Sequence, residues 1–185
     1  MKQIILLLAT AIYLLSCQNQ SVSKWETLKL IQGNPLLTHI DLGDSAHGHG
    51  DGTAWEAPLR DTLGNIVAEA LGWTVTVDIM DGDSANPKIL RERIGTSVFN
   101  FGDENEIVGG RVTSYYEGEQ RLKLGLPQVY PISGGTGKYK GVEGEFSVTR
   151  QADSTYVYIF NYKKRRNLFE PLTSGVRPRA TPTNN

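Results

Sequence analysis

Short segments that alternate apolar and polar residues, separated by turn residues, run through most of this 185-residue chain. Residues 73–79 (WTVTVDI) and 144–149 (GEFSVT) alternate with a period of two and are rich in β-branched residues, which favours strands over helices. Turn signals such as those at 81–83 and 117–118 recur as in consecutive hairpins. The pattern predicts eight strands, near 36–42, 53–60, 65–80, 90–101, 106–116, 127–132, 142–150 and 154–163.

Consecutive antiparallel strands without an amphipathic helix would leave two open sheet edges. Closure into a barrel removes both edges, and a barrel of about eight strands has room for its own side chains or for one small ligand. We therefore predict an all-β fold, a closed eight-stranded antiparallel barrel over residues 36–166.

The last predicted strand carries apolar residues on both of its faces. One face has Tyr156, Tyr158, Phe160 and Tyr162, and the other has Val157 and Ile159. We expect the first face to line an apolar cavity and the second to contact a neighbouring subunit in a small homo-oligomer. A sandwich buried on one side is the alternative.

The N-terminal residues have the pattern of an export signal. Lys2 precedes an apolar run over 4–15 that is too short to span a bilayer. The run ends at Cys17, the only cysteine, so no intramolecular disulfide is possible. Residues 14–17 (LLSC) resemble a bacterial lipobox, which implies cleavage after residue 16 and acylation of Cys17. An ordinary secreted protein is the alternative.

This interpretation divides the chain into a signal peptide over 1–16, a lipidated cysteine and polar tether over 17–35, the barrel, and a flexible tail over 167–185. It predicts a lipid-anchored protein of the bacterial cell envelope, at the outer membrane. The chain has 19 basic and 20 acidic residues, a balance that gives no support to a nucleic-acid partner. The basic cluster at 163–166 is interpreted as a solvated strand end, with a membrane or heparin patch as the alternative.

The glycine-rich run over 132–144 (ISGGTGKYKGVEG) lacks the features of a phosphate-binding loop. Ile132 stands where a Walker loop needs its first glycine, and Tyr139 stands where the loop needs a serine or threonine. A strand rather than a helix is expected after Gly144, so no helix N-terminus is available for a pyrophosphate. The glycines are instead expected to form a tight bend and a close approach of strands.

Residues 129–144 (VYPISGGTGKYKGVEG) resemble the Gly-Gly-Thr/Ser-Gly-x-aromatic segment of plant dirigent proteins and allene oxide cyclases. Residues 50–61 and 93–103 are similar to further strands of those families, so the resemblance covers about 36–163. It implies an eight-stranded antiparallel barrel, commonly trimeric, with a hydrophobic cavity for a small apolar ligand. Glu143 stands where dirigent proteins usually have an arginine, which argues against dirigent-type coupling.

His39 and Asp41 lie two residues apart on the first predicted strand, so both point to the same side. Facing an apolar cavity, they could act as a general acid and base; facing solvent, they would be ordinary surface groups. A cyclase or isomerase would add Glu56 or Glu143 as further polar groups. Aromatic residues are candidate ligand contacts or simply packing, namely Trp55, Tyr130, Tyr139 and Tyr158.

All three histidines, His39, His47 and His49, lie close together in sequence with nearby aspartates. Imidazole and carboxylate groups are ligands that zinc or copper accepts, which makes His47, His49 and Asp51 a candidate metal site. A solvated loop between strands is the alternative, because the glycines around these residues raise the entropy cost of ordering a site.

The sequence therefore predicts an exported, lipid-anchored barrel that binds a small apolar molecule and could steer its cyclisation or isomerisation without a cofactor. Whether it is an enzyme stays open. A non-catalytic envelope carrier or scaffold is one alternative, and a metal-binding lipoprotein is the other.

Overall fold

A computed structural model describes residues 24–42, 48–80, 89–116 and 118–164. Cys17, the expected signal peptide and the expected tail lie outside these ranges. The described chain consists of nine strands and one short 3-10 helix. These are β1 (Glu26–Gln32), β2 (Leu36–Ile40), β3 (Gly52–Arg60), β4 (Ile66–Met80), β5 (Leu90–Asn100), β6 (Glu106–Tyr116), β7 (Gln128–Gly135), the 3-10 helix (Gly137–Tyr139), β8 (Val142–Arg150) and β9 (Tyr156–Lys164).

The strands form one sheet that closes on itself. Each strand from β3 to β9 pairs antiparallel with the next, and β1 pairs along its length with β9. The end of β1 also pairs with β3, with Ile31 opposite Arg60, and this pairing closes the ring. β2 continues along β3, with Leu36 opposite Glu56, so β1 and β2 act as one strand interrupted at 33–35. The predicted closed eight-stranded antiparallel barrel is confirmed.

The barrel begins at Glu26 rather than at residue 36. β1 alternates along ETLKLIQ, with Leu30 fully buried and Leu28 packed against the core. The part of the expected tether from Glu26 onwards therefore belongs to the barrel. The short strand was missed because polar residues surround its two inward leucines.

Aromatic side chains fill one end of the barrel. The Phe99 ring meets the ring of Phe146 at 5.0 Å and that of Phe160 at 4.7 Å, both edge to face. Leu30, Leu59 and Ile107 complete this fully buried layer. Beyond it, Tyr139 of the 3-10 helix packs against Phe101 and Tyr162. This end of the barrel is therefore closed by its own side chains.

The glycine-rich run forms the bend that the sequence predicted. Gly137 has φ of +51°, and a Cβ there would lie 2.4 Å from Oδ1 of Asn105. That oxygen accepts a hydrogen bond from the Lys138 amide at 2.8 Å. Gly144 lets β8 approach β9 closely, because a Cβ there would lie 2.1 Å from the carbonyl oxygen of Asn161.

Within the described ranges, no helix is long and apolar enough to cross a membrane.

Candidate functional site

The end of the barrel opposite the aromatic layer holds a cavity of about 410 Å³. We call it the end cavity. It is surrounded by β2, by the ends of β1, β6 and β8, and by the beginnings of β3, β5 and β9. Residues of the β6–β7 connection also contribute to its lining. Its walls carry aromatic residues (Trp55, Tyr115, Tyr156 and Tyr158), arginines (Arg91, Arg93, Arg111, Arg121 and Arg150) and uncharged polar residues that include Gln32, Thr53 and Thr113.

Strand alternation explains why arginines face the interior. Arg91 and Arg93 share the inward face of β5 with Phe99, since the three positions differ by even numbers. Arg91 is 7% exposed and Arg93 is 4% exposed. On β8, Arg150 likewise shares the inward face with Phe146. The inward face is therefore aromatic at the closed end of the barrel and cationic at the cavity end.

Arg93 is held by neutral acceptors. Its Nη2 donates to Oγ1 of Thr53 at 3.1 Å and to the backbone carbonyl oxygen of Asp51 at 3.3 Å. Its Nε is buried and has no hydrogen-bond partner. A buried N–H without an acceptor is costly, so the hydrogen bonding of the Arg93 guanidinium group is incomplete.

Arg111 lies between two aromatic rings. Its guanidinium carbon is 5.0 Å from the ring centroid of Trp55 and 5.0 Å from that of Tyr130. Such cation–π contacts fix the plane of the guanidinium group. The Nε of Arg111 is also buried without a partner. Arg93 and Arg111 therefore both line the end cavity, and each has a buried Nε that makes no hydrogen bond.

The positive charges in this cavity act on one another. Burial lowers the pKa of Arg121, and the nearby charges of Arg93 and Arg111 lower that pKa further. Arg121 reaches the cavity from the β6–β7 connection, where its carbonyl oxygen accepts a hydrogen bond from Nε2 of Gln128 at 2.7 Å. The connection thus places a third guanidinium group near the first two.

Tyr158 forms the floor of the end cavity beside the aromatic layer. Its hydroxyl donates to Oε1 of Gln32 at 2.8 Å. Burial raises the pKa of the Tyr158 phenol, and the charge of Arg111 opposes part of that rise. The phenol is therefore a neutral hydrogen-bonding group at physiological pH.

Of the predicted acid–base pair, only His39 lines the end cavity, and its side chain is exposed. It lies opposite Thr53 in the β2–β3 pairing, and its Nδ1 is 3.2 Å from Oγ1 of Thr53. Asp41 follows the end of β2, is exposed, and is not part of the cavity wall. Strand alternation does not extend to Asp41 because β2 ends at Ile40.

Glu56 and Glu143 are not in the end cavity, contrary to expectation. Glu56 points outward from β3, because its neighbours Trp55 and Ala57 face the interior. Glu143 lies near the other end of the barrel, where its carboxylate is 3.9 Å from the Lys163 ammonium group. Neither carboxylate lines the cavity, so neither can act there as a direct acid or base.

The four aromatic candidates separate into two groups. Trp55 and Tyr158 line the end cavity. Tyr130 lies beneath Arg111 and donates its hydroxyl to Oε1 of Gln128 at 2.5 Å. Tyr139 packs at the closed end of the barrel, and burial raises the pKa of its phenol. Tyr139 is therefore a packing residue.

The metal-site hypothesis is only partly covered by the described residues. His47 lies outside them, and His49 is exposed. Asp51 is buried, and its Oδ1 accepts a hydrogen bond from the Leu42 amide at 2.9 Å. Within the described ranges, no group of three His, Cys, Asp or Glu side chains could hold a metal ion.

The arginines are the residues that the sequence analysis missed. The sequence pattern predicted an apolar cavity, whereas five arginines of the described residues line the end cavity. The available signal was the even spacing of residues that share one face of a strand. Arg91 and Arg93 are an even number of residues from Ser97 and Phe99 on β5. Arg111 is likewise an even number of residues from Ile107 on β6. Charged residues at inward positions of a barrel indicate a polar site rather than a solid core.

No family model matches the chain, and no curated protein matches it in sequence. Solved structures do match its fold. Pyocyanin demethylase has a TM-score of 0.55 at 21% identity, covering 74% of this chain and 99% of the demethylase. The Diels–Alderase AbmU from Streptomyces koyangensis has a TM-score of 0.57 at 13% identity, covering 82% of this chain and 74% of AbmU.

A third solved structure is that of a nonspecific heme-binding cyclase that catalyses a cycloaddition during neoabyssomicin biosynthesis. It has a TM-score of 0.55 at 14% identity, covering 81% of this chain and 68% of the cyclase. The chain has the allene oxide cyclase/dirigent-like barrel fold that the sequence resemblance implied.

Proposed function

We propose that this protein binds one small organic molecule in the end cavity and holds it in a single conformation. The observation that carries this proposal is the contrast between the two ends of one barrel. Aromatic rings fill the closed end, while the other end keeps a cavity of about 410 Å³. Ligand pockets commonly have volumes of about 300–1,000 Å³, with a few polar groups on otherwise apolar walls.

The chemistry proposed for this cavity is a cyclisation or an isomerisation, in which the molecule gains and loses no atoms. The presence of a Diels–Alderase and a cycloaddition-catalysing cyclase among the proteins of similar fold supports this reaction class. Walls of fixed shape would hold a flexible substrate close to its reactive conformation. The guanidinium groups would stabilise negative charge that develops on a substrate oxygen.

His39 is the candidate proton carrier. The contact between its Nδ1 and Thr53 leaves Nε2 as the ring atom available to a ligand. In an isomerisation, Nε2 would accept a proton from a carbon beside a carbonyl group and return it to another carbon. Arg111 would stabilise the enolate oxygen between these two steps. A carrier without catalysis would need the cavity but not His39.

The proposal places this barrel in the bacterial cell envelope, anchored through lipidated Cys17, as a small homo-oligomer.

Exposed apolar side chains on the outer face of the barrel support the oligomer. We call this set the outer apolar patch, and it consists of Leu36 (65% exposed), Trp73 (51%), Ile94 (48%) and Val112 (66%). An outer groove of about 430 Å³ lies beside Leu36 and Trp73. Apolar patches of this kind are commonly covered in assemblies.

Native mass spectrometry of the protein purified from its own host tests the proposal. We expect one small molecule per chain, released on denaturation. Thr113→Trp is the control, because Thr113 is 6% exposed and lines the end cavity, which a tryptophan would fill. A wild-type protein that carries no molecule and that gains no thermal stability from any member of a small-molecule library would contradict the proposal.

A further inference from the structure

We infer that the ligand of the end cavity is a planar aromatic anion, with its acidic group bound by Arg93 and Arg111. This inference rests on the proposed small-molecule function and specifies its substrate class. Carboxylates, sulfonates and phenolates share the required chemistry, which is a compact negative group attached to a flat ring.

The charge of the wall is the first reason. Five arginines and one acidic residue, Glu119, are among the described residues that line the end cavity. Arg93 is almost fully buried, and its Nη2 donates to two neutral oxygens. Removing positive charge from water is costly unless an anion or strong acceptors compensate for it. A negative ligand would supply that compensation.

The placement and the incomplete hydrogen bonding of Arg93 and Arg111 are the second reason. The Nε groups of Arg93 and Arg111 are buried and have no hydrogen-bond partner. A guanidinium group presents its N–H groups as a planar fork that matches the oxygens of a carboxylate or a sulfonate. The two arginines lie on the neighbouring strands β5 and β6, with Arg93 opposite Thr113 and Arg111 opposite Gly95. One anionic group between these strands could accept from both side chains.

The aromatic wall is the third reason, and it specifies the rest of the molecule. Trp55 faces the end cavity next to Arg111, and Tyr156 and Tyr158 line the cavity from β9. Flat rings stack or pack edge to face against such side chains. Burial, and then the charges of Arg93 and Arg111, lower the pKa of Arg121, as expected where cations lie close together. A bound anion would relieve this repulsion.

A matched pair of fluorescent probes tests the inference. Anilinonaphthalene sulfonate and N-phenylnaphthylamine have the same ring system, and only the first carries a sulfonate. We expect wild-type protein to bind the sulfonate probe at least about tenfold more tightly than the neutral probe, because only the sulfonate can accept charge-assisted hydrogen bonds from the guanidinium groups. Added salt should weaken binding of the sulfonate probe more than binding of the neutral probe.

Single substitutions then locate the contact. Arg93→Gln and Arg111→Gln should each weaken binding of the sulfonate probe about tenfold and leave binding of the neutral probe within about twofold. Arg111→Lys keeps the charge and should lose less affinity than Arg111→Gln. The matched control is Arg60→Gln, because Arg60 is exposed, donates to the Gly64 carbonyl oxygen and does not line the end cavity. Circular dichroism and retained binding of the neutral probe would show that each variant is folded.

The outcomes separate the inference from the function on which it rests. If both probes bind with equal affinity and the glutamine variants bind the sulfonate probe as wild type does, the anion inference is overturned while small-molecule binding stands. If neither probe binds to wild-type protein, the inference is overturned, and native mass spectrometry decides separately whether the proposed function stands. The inference would also be overturned if Arg60→Gln removed the preference for the sulfonate probe as fully as Arg111→Gln does.

Discussion

The indole ring of Trp55 lies against the backbone of Gly72, where a Cβ would come within 2.1 Å of Cζ2 of the indole. Gly72→Ala should therefore displace the indole and lower the free energy of unfolding by about 1–3 kcal/mol. Urea unfolding measures this loss. Gly134→Ala is the control, because a Cβ at Gly134 meets no atom within 4 Å. Equal stability of the two variants would show that Trp55 is not fixed against β4.

The aromatic layer should dominate the stability of the fold. Phe99 is fully buried and contacts the rings of Phe146, Tyr158 and Phe160. Phe99→Ala should cost about 3–5 kcal/mol in the free energy of unfolding, through lost burial and the cavity that remains. Val129→Ala is the comparison: Val129 is 55% exposed, so its truncation should change stability by no more than about 0.5 kcal/mol. A loss below about 1 kcal/mol for Phe99→Ala would mean that the layer is not tightly packed.

Alternation and turn residues were sufficient to predict the barrel, because every second side chain of a strand faces inward and turn residues mark each hairpin. The same parity rule failed for β1, where Leu28 and Leu30 are the only inward apolar residues. The end cavity was only partly predicted. Trp55, Tyr158 and His39 were identified, but strand parity alone assigns Arg93 to the inward face of β5 without showing which residues of other strands lie beside it. Only the register of β5 with β6 shows that Arg93 and Arg111 face the same space.

Alkaline pH should destabilise the barrel through its buried phenols. Burial raises the pKa of Tyr158 above the ordinary value of 10.0, so the folded state keeps the proton after the unfolded state has lost it. The stabilising contribution of the protonated Tyr158 phenol is fully present below about pH 10. It is lost as the pH rises above 10 and through the raised pKa. Thermal unfolding measured from about pH 7 to 11 should show a melting temperature that declines at the alkaline end. Tyr158→Phe should have a shallower decline, and an unchanged slope would contradict this assignment.

The outer apolar patch should mediate self-association. Trp73 is 51% exposed on β4, opposite Ala54 on one side and Thr96 on the other. Trp73→Glu would place a charge in the middle of a buried subunit contact and should convert the oligomer to monomer. Light scattering on the form that begins at Gln18 measures the mass, with Val129→Glu as the control on another exposed strand position. A monomeric wild-type protein would refute the proposed oligomer.

The central claim is that the arginines of the end cavity bind an anionic ligand, and a crystal structure of the protein with anilinonaphthalene sulfonate tests it most directly. We predict that the sulfonate oxygens lie about 2.7–3.2 Å from guanidinium nitrogen atoms of Arg93 and Arg111. The ring system should lie against Trp55. A probe bound instead in the outer groove beside Leu36 and Trp73, with the end cavity holding none, would contradict the account.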